Sequence, residues 1–449
     1  MKKRFAALLI GTMLVSSLTG CTGNSSPGTT EATTVNESKT EKAGGNVTYW
    51  TWQTQAGEAE AKQVEYVQSS NPNLKLNIEY TANADYWTKL PVAIAGGTGP
   101  DIYLMTRPSF ELYAASGQMM DISDIVANSR ALSEYMEKLR PELQETYKFD
   151  GVLMAIPITV ESTAIAYNRD AFKAAGLKDL KEIEDTWTWD DFADIARQLT
   201  IKGNSGEGEQ YGCWIASDRI PFWEKLWSAG YEMFDEKQET CLIGQTGIVE
   251  AYQPLVDLYQ EGMSPNSVDV PDSSYGDDLF ISGKIAMIPA GIWKVPSYAN
   301  ITTFDWDVAQ LPLDPTTGKR VSSSNVLGLC INPNSKNLEA TIAALEKLVQ
   351  PDCMKIYADM GVFVPALESV RDGFFTMDTP QNIAAYKKAL DYVHPNTLTQ
   401  YIPYQQFGTL QNNALKNALS GKMTLEDALK EANEEINKVM DENKAQFNQ

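Results

Sequence analysis

Apolar residues along this chain recur with two periods that take turns. From residue 47 onward, short runs rich in Val, Ile, Leu and Tyr alternate with stretches whose apolar positions return every three or four residues, the pattern of an α/β fold with mostly parallel sheets. Residues 47–52 (VTYWTW) read as the first strand, and residues 58–68 as a polar helix ended by Asn71 and Pro72. Leu74, Leu76, Ile78 and Tyr80 then alternate with polar residues, as a half-buried strand requires. Residues 101–105, 163–167, 285–289 and 326–331 are further buried-strand candidates, each bounded by Gly, Pro, Asn or Lys. Thr188 followed three residues later by Asp191 predicts a capped helix start, with Trp189, Phe192, Ile195 and Leu199 on one face. Leu338, Ile342, Leu345 and Val349 form a second stripe, and Leu425, Leu429, Ala432, Ile436 and Met440 a third. Such stripes face a core and carry no chemistry.

The N-terminus follows a different logic. Lys2, Lys3 and Arg4 precede an apolar run over residues 5–15 that is too short for a permanent membrane helix of ~20 residues, so it reads as an export signal. It ends in Leu18, Thr19, Gly20 and Cys21, which resembles the lipobox of bacterial lipoproteins, and Cys21 is the expected lipidation site. Acylation with two or three chains on one residue anchors stably where one chain binds only marginally. Residues 22–45 contain Val35 as their one large aliphatic side chain and cannot offset the entropy of ordering. They read as a flexible tether that holds the body on the order of 25 to 30 Å from the anchor. The expected location is therefore the outer face of a bacterial cell membrane, reached through the lipid alone.

Composition narrows the chemistry. Of 449 residues 43% are apolar, and because single cores stop growing near ~250 to 300 residues, two lobes are expected. With 59 acidic against 37 basic side chains the formal charge is −22, which repels phosphate backbones and argues against nucleic acid. Loss of residues 1–20 removes Lys2, Lys3 and Arg4 and makes the body still more acidic. His394 is the one histidine, which leaves no material for a His-rich zinc site and little for a Ser/His/Asp relay. No CxxC spacing, P-loop, nucleophile elbow or dinucleotide fingerprint occurs. No metal or cofactor is expected. Cys330 lies in an apolar run and reads as a small buried hydrophobe, while a bridge between Cys213 and Cys241 stays open.

Five blocks carry a family resemblance. They are VTYWTW (47–52); GTGPDIYLM with its continuation to residue 122; GVLMAIPITVESTAIAYNRDAFKAAGL (151–177) with TWTWDDFADIARQLT after it; ISGKIAMIPAGIW (281–293) followed by VLGLCINPNSKN; and SGKMTLEDALKEAN (420–433). In this order they resemble the extracellular solute-binding proteins of bacterial ABC importers, in the sugar-binding, maltose-binding-protein-like group. The resemblance implies a two-lobed, hinged, periplasmic-binding-protein-like fold with the ligand between the lobes. By that likeness residues 46–158 and 322–361 form the N-terminal lobe and 159–321 and 362–449 the C-terminal lobe, with Ile156, Pro157 and Ile158 as the first hinge candidate.

Sugars offer C–H faces that stack on aromatic rings and hydroxyls that need fixed donors and acceptors. The chain has 10 Trp and 20 Tyr, so placement selects among them. The resemblance points to Trp52 and Gln53 after the first strand, Trp293 in GIW as the stacking residue, and Phe222 and Trp223 in RIPFWEKLW, one of which is expected in the core. Arg107 follows the GPDIYLM strand and Glu161 lies in PITVES; both are expected to meet hydroxyls. The chain departs from the maltose pattern where Met105 and Gly408 replace tryptophans, and Tyr404 is the expected wall residue near the second of these.

The resulting expectation is a monomeric lipoprotein that captures a carbohydrate, by the resemblance an oligosaccharide, and delivers it to an ABC permease without turning it over. Two alternatives compete. One is a surface glycoside-acting enzyme with carboxylates ~5 to 9.5 Å apart. The other is an adhesin lipoprotein without a small ligand, which the cleft aromatics oppose.

Overall fold

The computed structural model describes residues 43–203, 208–270 and 274–447. The export signal, Cys21 and residues 22–42 of the tether lie outside the described residues. The chain divides into residues 1–34 and 35–449, and everything below concerns the second unit.

Its principal strands are β1 (Gly45–Thr51), β2 (Leu74–Tyr80), β3 (Ile102–Thr106), β4 (Ile156–Val160), β5 (Thr163–Asn168), β6 (Met287–Gly291), β7 (Trp306–Ala309), β8 (Ser322–Ser324), β9 (Leu327–Ile331), β10 (Val364–Pro365) and β11 (Val393–Pro395). The helices that matter to the site are α1 (Gly57–Ser70), α2 (Asn83–Ala95), α3 (Arg107–Ala115), α4 (Trp189–Leu199), α5 (Arg219–Ser228), α6 (Tyr275–Ile281), α7 (Leu338–Leu348), α8 (Tyr404–Leu419) and α9 (Leu425–Phe447).

Two sheets organise the body. The larger has six strands in the order β10, β4, β9, β3, β1, β2, and the smaller has the order β6, β5, β7. Within these two sheets β1 alone is paired in parallel, with β2 and β3; β9 runs antiparallel to β3 and β4, and the smaller sheet is antiparallel throughout. The expectation of mostly parallel sheets is thus corrected. Parallel pairing follows local β-α-β connections, whereas β9 re-enters the first sheet after a long excursion and arrives from the opposite side.

Local patterns translate directly into these elements. Thr188 and Asp191 form the reciprocal cap of α4, with Asp191 Oδ2 accepting from the Thr188 amide at 2.8 Å and Thr188 Oγ1 accepting from the Asp191 amide at 3.2 Å. Trp189, Phe192, Ile195 and Leu199 are buried, as are Leu425, Leu429, Ala432, Ile436 and Met440 of α9. In β2 the alternation holds at Leu74 and Leu76 but Tyr80 is 40% exposed, because the end of this edge strand outruns the core.

The chain passes between the two sheets by short segments. Val160 ends β4 in the first sheet and Thr163 begins β5 in the second, so Glu161 and Ser162 make the whole crossing. The hinge candidate at 156–158 lies inside β4, where Pro157 stands at a register shift opposite Leu327 and Gly328. A second crossing enters the larger sheet from β8, which lies in neither of the two sheets, and reaches β9 through Asn325 and Val326. Val364 and Pro365 of β10 pair with Val160 and Thr159 at the edge of the first sheet.

The crossings are tied to one another. β8 pairs in parallel with β11, Ser322 facing Val393 and Ser324 facing Pro395. The Thr163 amide donates to Ser322 Oγ at 2.8 Å. Glu224 of α5, fully buried, accepts at Oε1 from Ser323 Oγ at 2.6 Å and from Thr163 Oγ1 at 3.2 Å. One carboxylate therefore holds hydroxyls from two separate crossings.

Candidate functional site

A cleft of about 640 Å³ opens where the carboxyl ends of β1 and β3 face the end of β6, the place where open α/β sheets receive ligands. It is lined from both sheets. Trp52, Gln53, Asn83, Trp87, Thr106 and Pro108 come from the first side, Glu161 and Asn325 from the crossings, and Trp214, Asp218, Asp277, Trp293, Lys294 and Tyr404 from the second.

The first wall is an aromatic pair held from behind. Trp52, immediately after β1, packs 5.0 Å from Trp87 of α2 and 4.9 Å edge-on to Tyr86. Tyr86 is buried and its hydroxyl donates to the Leu104 carbonyl at 2.6 Å, which fixes the ring that supports both indoles. Gln53 follows, its amide donating to Thr51 Oγ1 at 3.1 Å, and its side-chain oxygen accepts from Gln55.

The second wall is built over two glycines. A Cβ on Gly291, the last residue of β6, would lie 2.0 Å from the Trp293 ring, and one on Gly276 of α6 would lie 2.5 Å from the Trp214 ring. Both indoles thus lie against bare backbone, and any larger residue would displace them. Between them Lys294 pairs with Asp277, which also accepts from the Tyr298 hydroxyl. Tyr404, Asn412 and Lys416 line the cleft from one face of α8 at spacings of eight and four residues. Gly408 falls on the same face, and a Cβ there would meet nothing within 4 Å, so the position that departs from the maltose pattern borders open space.

Of the residues singled out in the sequence, Trp52, Gln53, Glu161, Trp293 and Tyr404 line this cleft together. Three do not. Arg107 is 8% exposed and pairs with Glu111 one turn along α3, its guanidinium 5.1 Å from the Phe110 ring. As the first residue of α3 it points along the helix to its i+4 partner, leaving Thr106 and Pro108 to face the cleft. Phe222 and Trp223 are both core: Phe222 packs 4.9 Å from Tyr252, and Trp223 lies 5.6 Å from Trp227 with Nε1 donating to Gln411 at 2.9 Å. The helical stripe of Phe222, Trp223, Leu226 and Trp227 marks that face in the sequence, whereas Asp218 and Ile220 just before it reach the cleft.

Trp87, Trp214, Asp277 and Lys294 were not anticipated. Trp87 stands within a helix that carries no other mark of function. Trp214 lies against Gly276, the residue before Asp277, and a sequence pattern cannot show in advance a contact across 62 residues.

The cleft carries carboxylates (Glu161, Asp218, Asp277), ammonium groups (Lys294, Lys416), amides and indoles, a set suited to neutral polar ligands with apolar faces. Among the described residues no group of three or more His, Cys, Asp or Glu side chains is arranged to hold a metal ion. Cys213, Cys241, Cys330 and Cys353 are free and buried, and burial pushes the Cys241 and Cys353 thiols up to about 12, so they are poor nucleophiles at neutral pH.

A family model described as bacterial extracellular solute-binding protein matches residues 50–352. A multiple sugar-binding protein of Streptococcus mutans is 21% identical over 330 residues, covering 67% of this chain and 70% of that protein. A maltotriose-binding protein of Pyrococcus abyssi is 22% identical over 237 residues, 53% of this chain and 47% of that protein. Among solved structures, an ABC substrate-binding protein from Listeria monocytogenes in complex with cycloalternan superposes with a TM-score of 0.79 at 24% identity, over 88% of this chain and 98% of that one. The cyclic α-maltosyl-1,6-maltose binding protein of Arthrobacter globiformis gives 0.72 at 20% identity, over 89% and 99%. At these identities the superpositions establish the two-lobed fold.

Proposed function

The chain belongs to the bacterial extracellular solute-binding proteins, and from that premise we propose that it captures an oligosaccharide in the cleft, leaves it chemically unchanged and delivers it to an ABC permease. The observation that carries this reading is the placement of indoles on both walls, Trp52 with Trp87 on one and Trp214 with Trp293 on the other, around a rim of fixed donors and acceptors. Rings with apolar faces and hydroxylated edges are complementary to that arrangement, and a volume of about 640 Å³ favours several linked sugars over one. The relatives that bind maltotriose, cycloalternan and a cyclic maltosyl-maltose support the same ligand class.

In this reading the lobes divide at Glu161 and Ser162, at Asn325 and Val326, and beyond Pro365. A sugar touching both walls populates the closed form, and closure is the state presented to the permease. Cys21 anchors the monomer to the membrane, and Cys21→Ala should release it from the membrane fraction.

Thermal unfolding of residues 43–449 against maltose, maltotriose, mannotriose and cycloalternan tests the ligand class. A sugar present at 100 times its Kd adds about 2.7 kcal/mol of stability. That sugar should be recovered chemically intact after hours of incubation. A protein stabilised by amino acids or phosphate esters and by none of the sugars would overturn the proposal.

A further inference from the structure

The pair formed by Asp277 and Lys294 has a geometry that the cleft's aromatic walls do not explain. Asp277 lies in the first turn of α6, and Lys294 directly follows the stacking residue Trp293. Their side chains are 13% and 32% exposed, and both line the cleft. The carboxylate is held from two sides: Oδ1 accepts from the Tyr298 hydroxyl and Oδ2 from Lys294 Nζ. Tyr298 itself is fully buried, 4.9 Å from Phe280 and 5.7 Å from Trp306, so the anchor behind the carboxylate cannot swing away.

Counting donors and acceptors shows what is left over. A carboxylate offers about four lone-pair sites, of which these two bonds use one on each oxygen, and an ammonium has three donors, of which one is used. The pair therefore presents unused acceptors on Asp277 beside unused donors on Lys294. A hydroxyl is itself donor and acceptor, and two adjacent hydroxyls on a sugar ring need this juxtaposition of both. The positions on either side are closed by Trp214 over Gly276 and Trp293 over Gly291, which confine a ring to the space between.

Resting on the oligosaccharide reading, we propose that Asp277 and Lys294 form a single hydroxyl-reading element of the second lobe, which selects among neutral sugars by the configuration of one vicinal diol. Tyr298 is its positioning residue. Because Lys294 is already neutralised by Asp277, the element gives an anionic substituent little net attraction, so uronates and sugar phosphates are disfavoured relative to neutral sugars.

The test titrates the wild-type protein, Lys294→Met, Asp277→Asn and Tyr298→Phe with maltotriose and mannotriose, whose rings differ in the configuration at one hydroxyl as well as in linkage. Binding is followed calorimetrically, and thermal unfolding without sugar is measured alongside. Lys294→Met keeps the stem and removes the donors; it should weaken the preferred sugar at least tenfold and compress the ratio between the two sugars, with ligand-free stability little changed. Asp277→Asn should do the same. Tyr298→Phe should weaken binding less, by loosening the carboxylate without removing a contact to sugar. Variants that bind with wild-type affinity and an unchanged ratio would overturn the proposal while leaving the oligosaccharide reading intact. A wild-type protein that binds neither these sugars nor maltose or cycloalternan would take down both.

Discussion

The six-membered ring edge of Trp293 lies against the Cα of Gly291, two residues earlier: a Cβ built on Gly291 falls 2.0 Å from Cη2 and 2.1 Å from Cζ3. The backbone of Gly291 is ordinary extended chain, φ −76° and ψ 153°, so alanine is compatible with it, and the nearest conflict is with the indole. Gly291→Ala should therefore fold and lose affinity by displacing the ring. Trp293→Ala should cost ~2 kcal/mol or more of binding, near a thirtyfold loss, because an aromatic anchor in a desolvated site is removed. Calorimetry with the sugar that raises the melting temperature measures both. A large loss of ligand-free stability in Trp293→Ala, with affinity unchanged, would instead make the ring part of the core.

How much of this was legible depends on whether the signal was local. The cap at Thr188, the stripes of α4, α7 and α9, and most strands follow from period and end signals within a dozen residues. The strand expected at 285–289 forms two residues later, as Met287–Gly291, because Ile285 bridges to Tyr211 outside the sheet. Trp52, Gln53, Glu161, Trp293 and Tyr404 could be placed because each lies at a strand end, a crossing or a helix start. Arg107 could not, since its partner Glu111 and its place in α3 decide where its guanidinium goes. Trp214 and Asp277 required the spatial contact through Gly276, for which the sequence has no local mark.

The three residues that lie away from the cleft have their own signature. Trp223→Ala opens a cavity beside Trp227 and Phe407 and leaves Gln411 without its indole partner, so a loss of ~3 to 5 kcal/mol in ligand-free stability is expected. Arg107→Met strands the buried Glu111 carboxylate, which burial already pushes upward against the opposing effect of Arg107, and should likewise cost several kcal/mol. Sugar affinity of the folded fraction should change less than about twofold in both. Urea unfolding and calorimetry on the same samples decide it, and a selective loss of affinity in Arg107→Met would restore that residue to the site.

Glu224 makes a prediction about motion. Its Oε1 accepts from Thr163 at the first crossing and Ser323 at the second, so Glu224→Ala takes the acceptor from the buried Ser323 hydroxyl, leaves Thr163 Oγ1 to Ser322 Oγ at 3.1 Å, and should cost on the order of 1 to 3 kcal/mol. Glu224→Gln keeps an acceptor and should cost less. The loosening should be local: hydrogen exchange is expected to rise at residues 160–163 and 322–326 more than in the strands of the larger sheet. Uniform acceleration across both sheets would mean that Glu224 contributes to global packing and not to the tie between crossings.

The last prediction concerns Glu60, a carboxyl buried in α1 at 1% exposure and not among the residues that line the cleft. Burial pushes it up from 4.5 to about 7, against hydrogen bonds that favour the charged form, including the Tyr357 hydroxyl at 3.3 Å from Oε1. Tyr49 and Tyr80 complete the neighbouring titratable groups, and Glu60 in turn raises both phenols, so no cation on these residues offsets its charge. Between pH 4.5 and 7 the folded protein keeps a proton that the unfolded chain has released. Glu60 therefore leaves stability fully present below about pH 4.5 and removes it as pH rises through 7, by about 3 kcal/mol at most. Glu60→Gln mimics the protonated carboxyl at every pH. It should match the wild type near pH 4.5 and exceed it by up to that amount at pH 8, as measured by urea unfolding at the two pH values. An equal fall in stability from pH 4.5 to 8 in both proteins would show that Glu60 is already ionised in the fold.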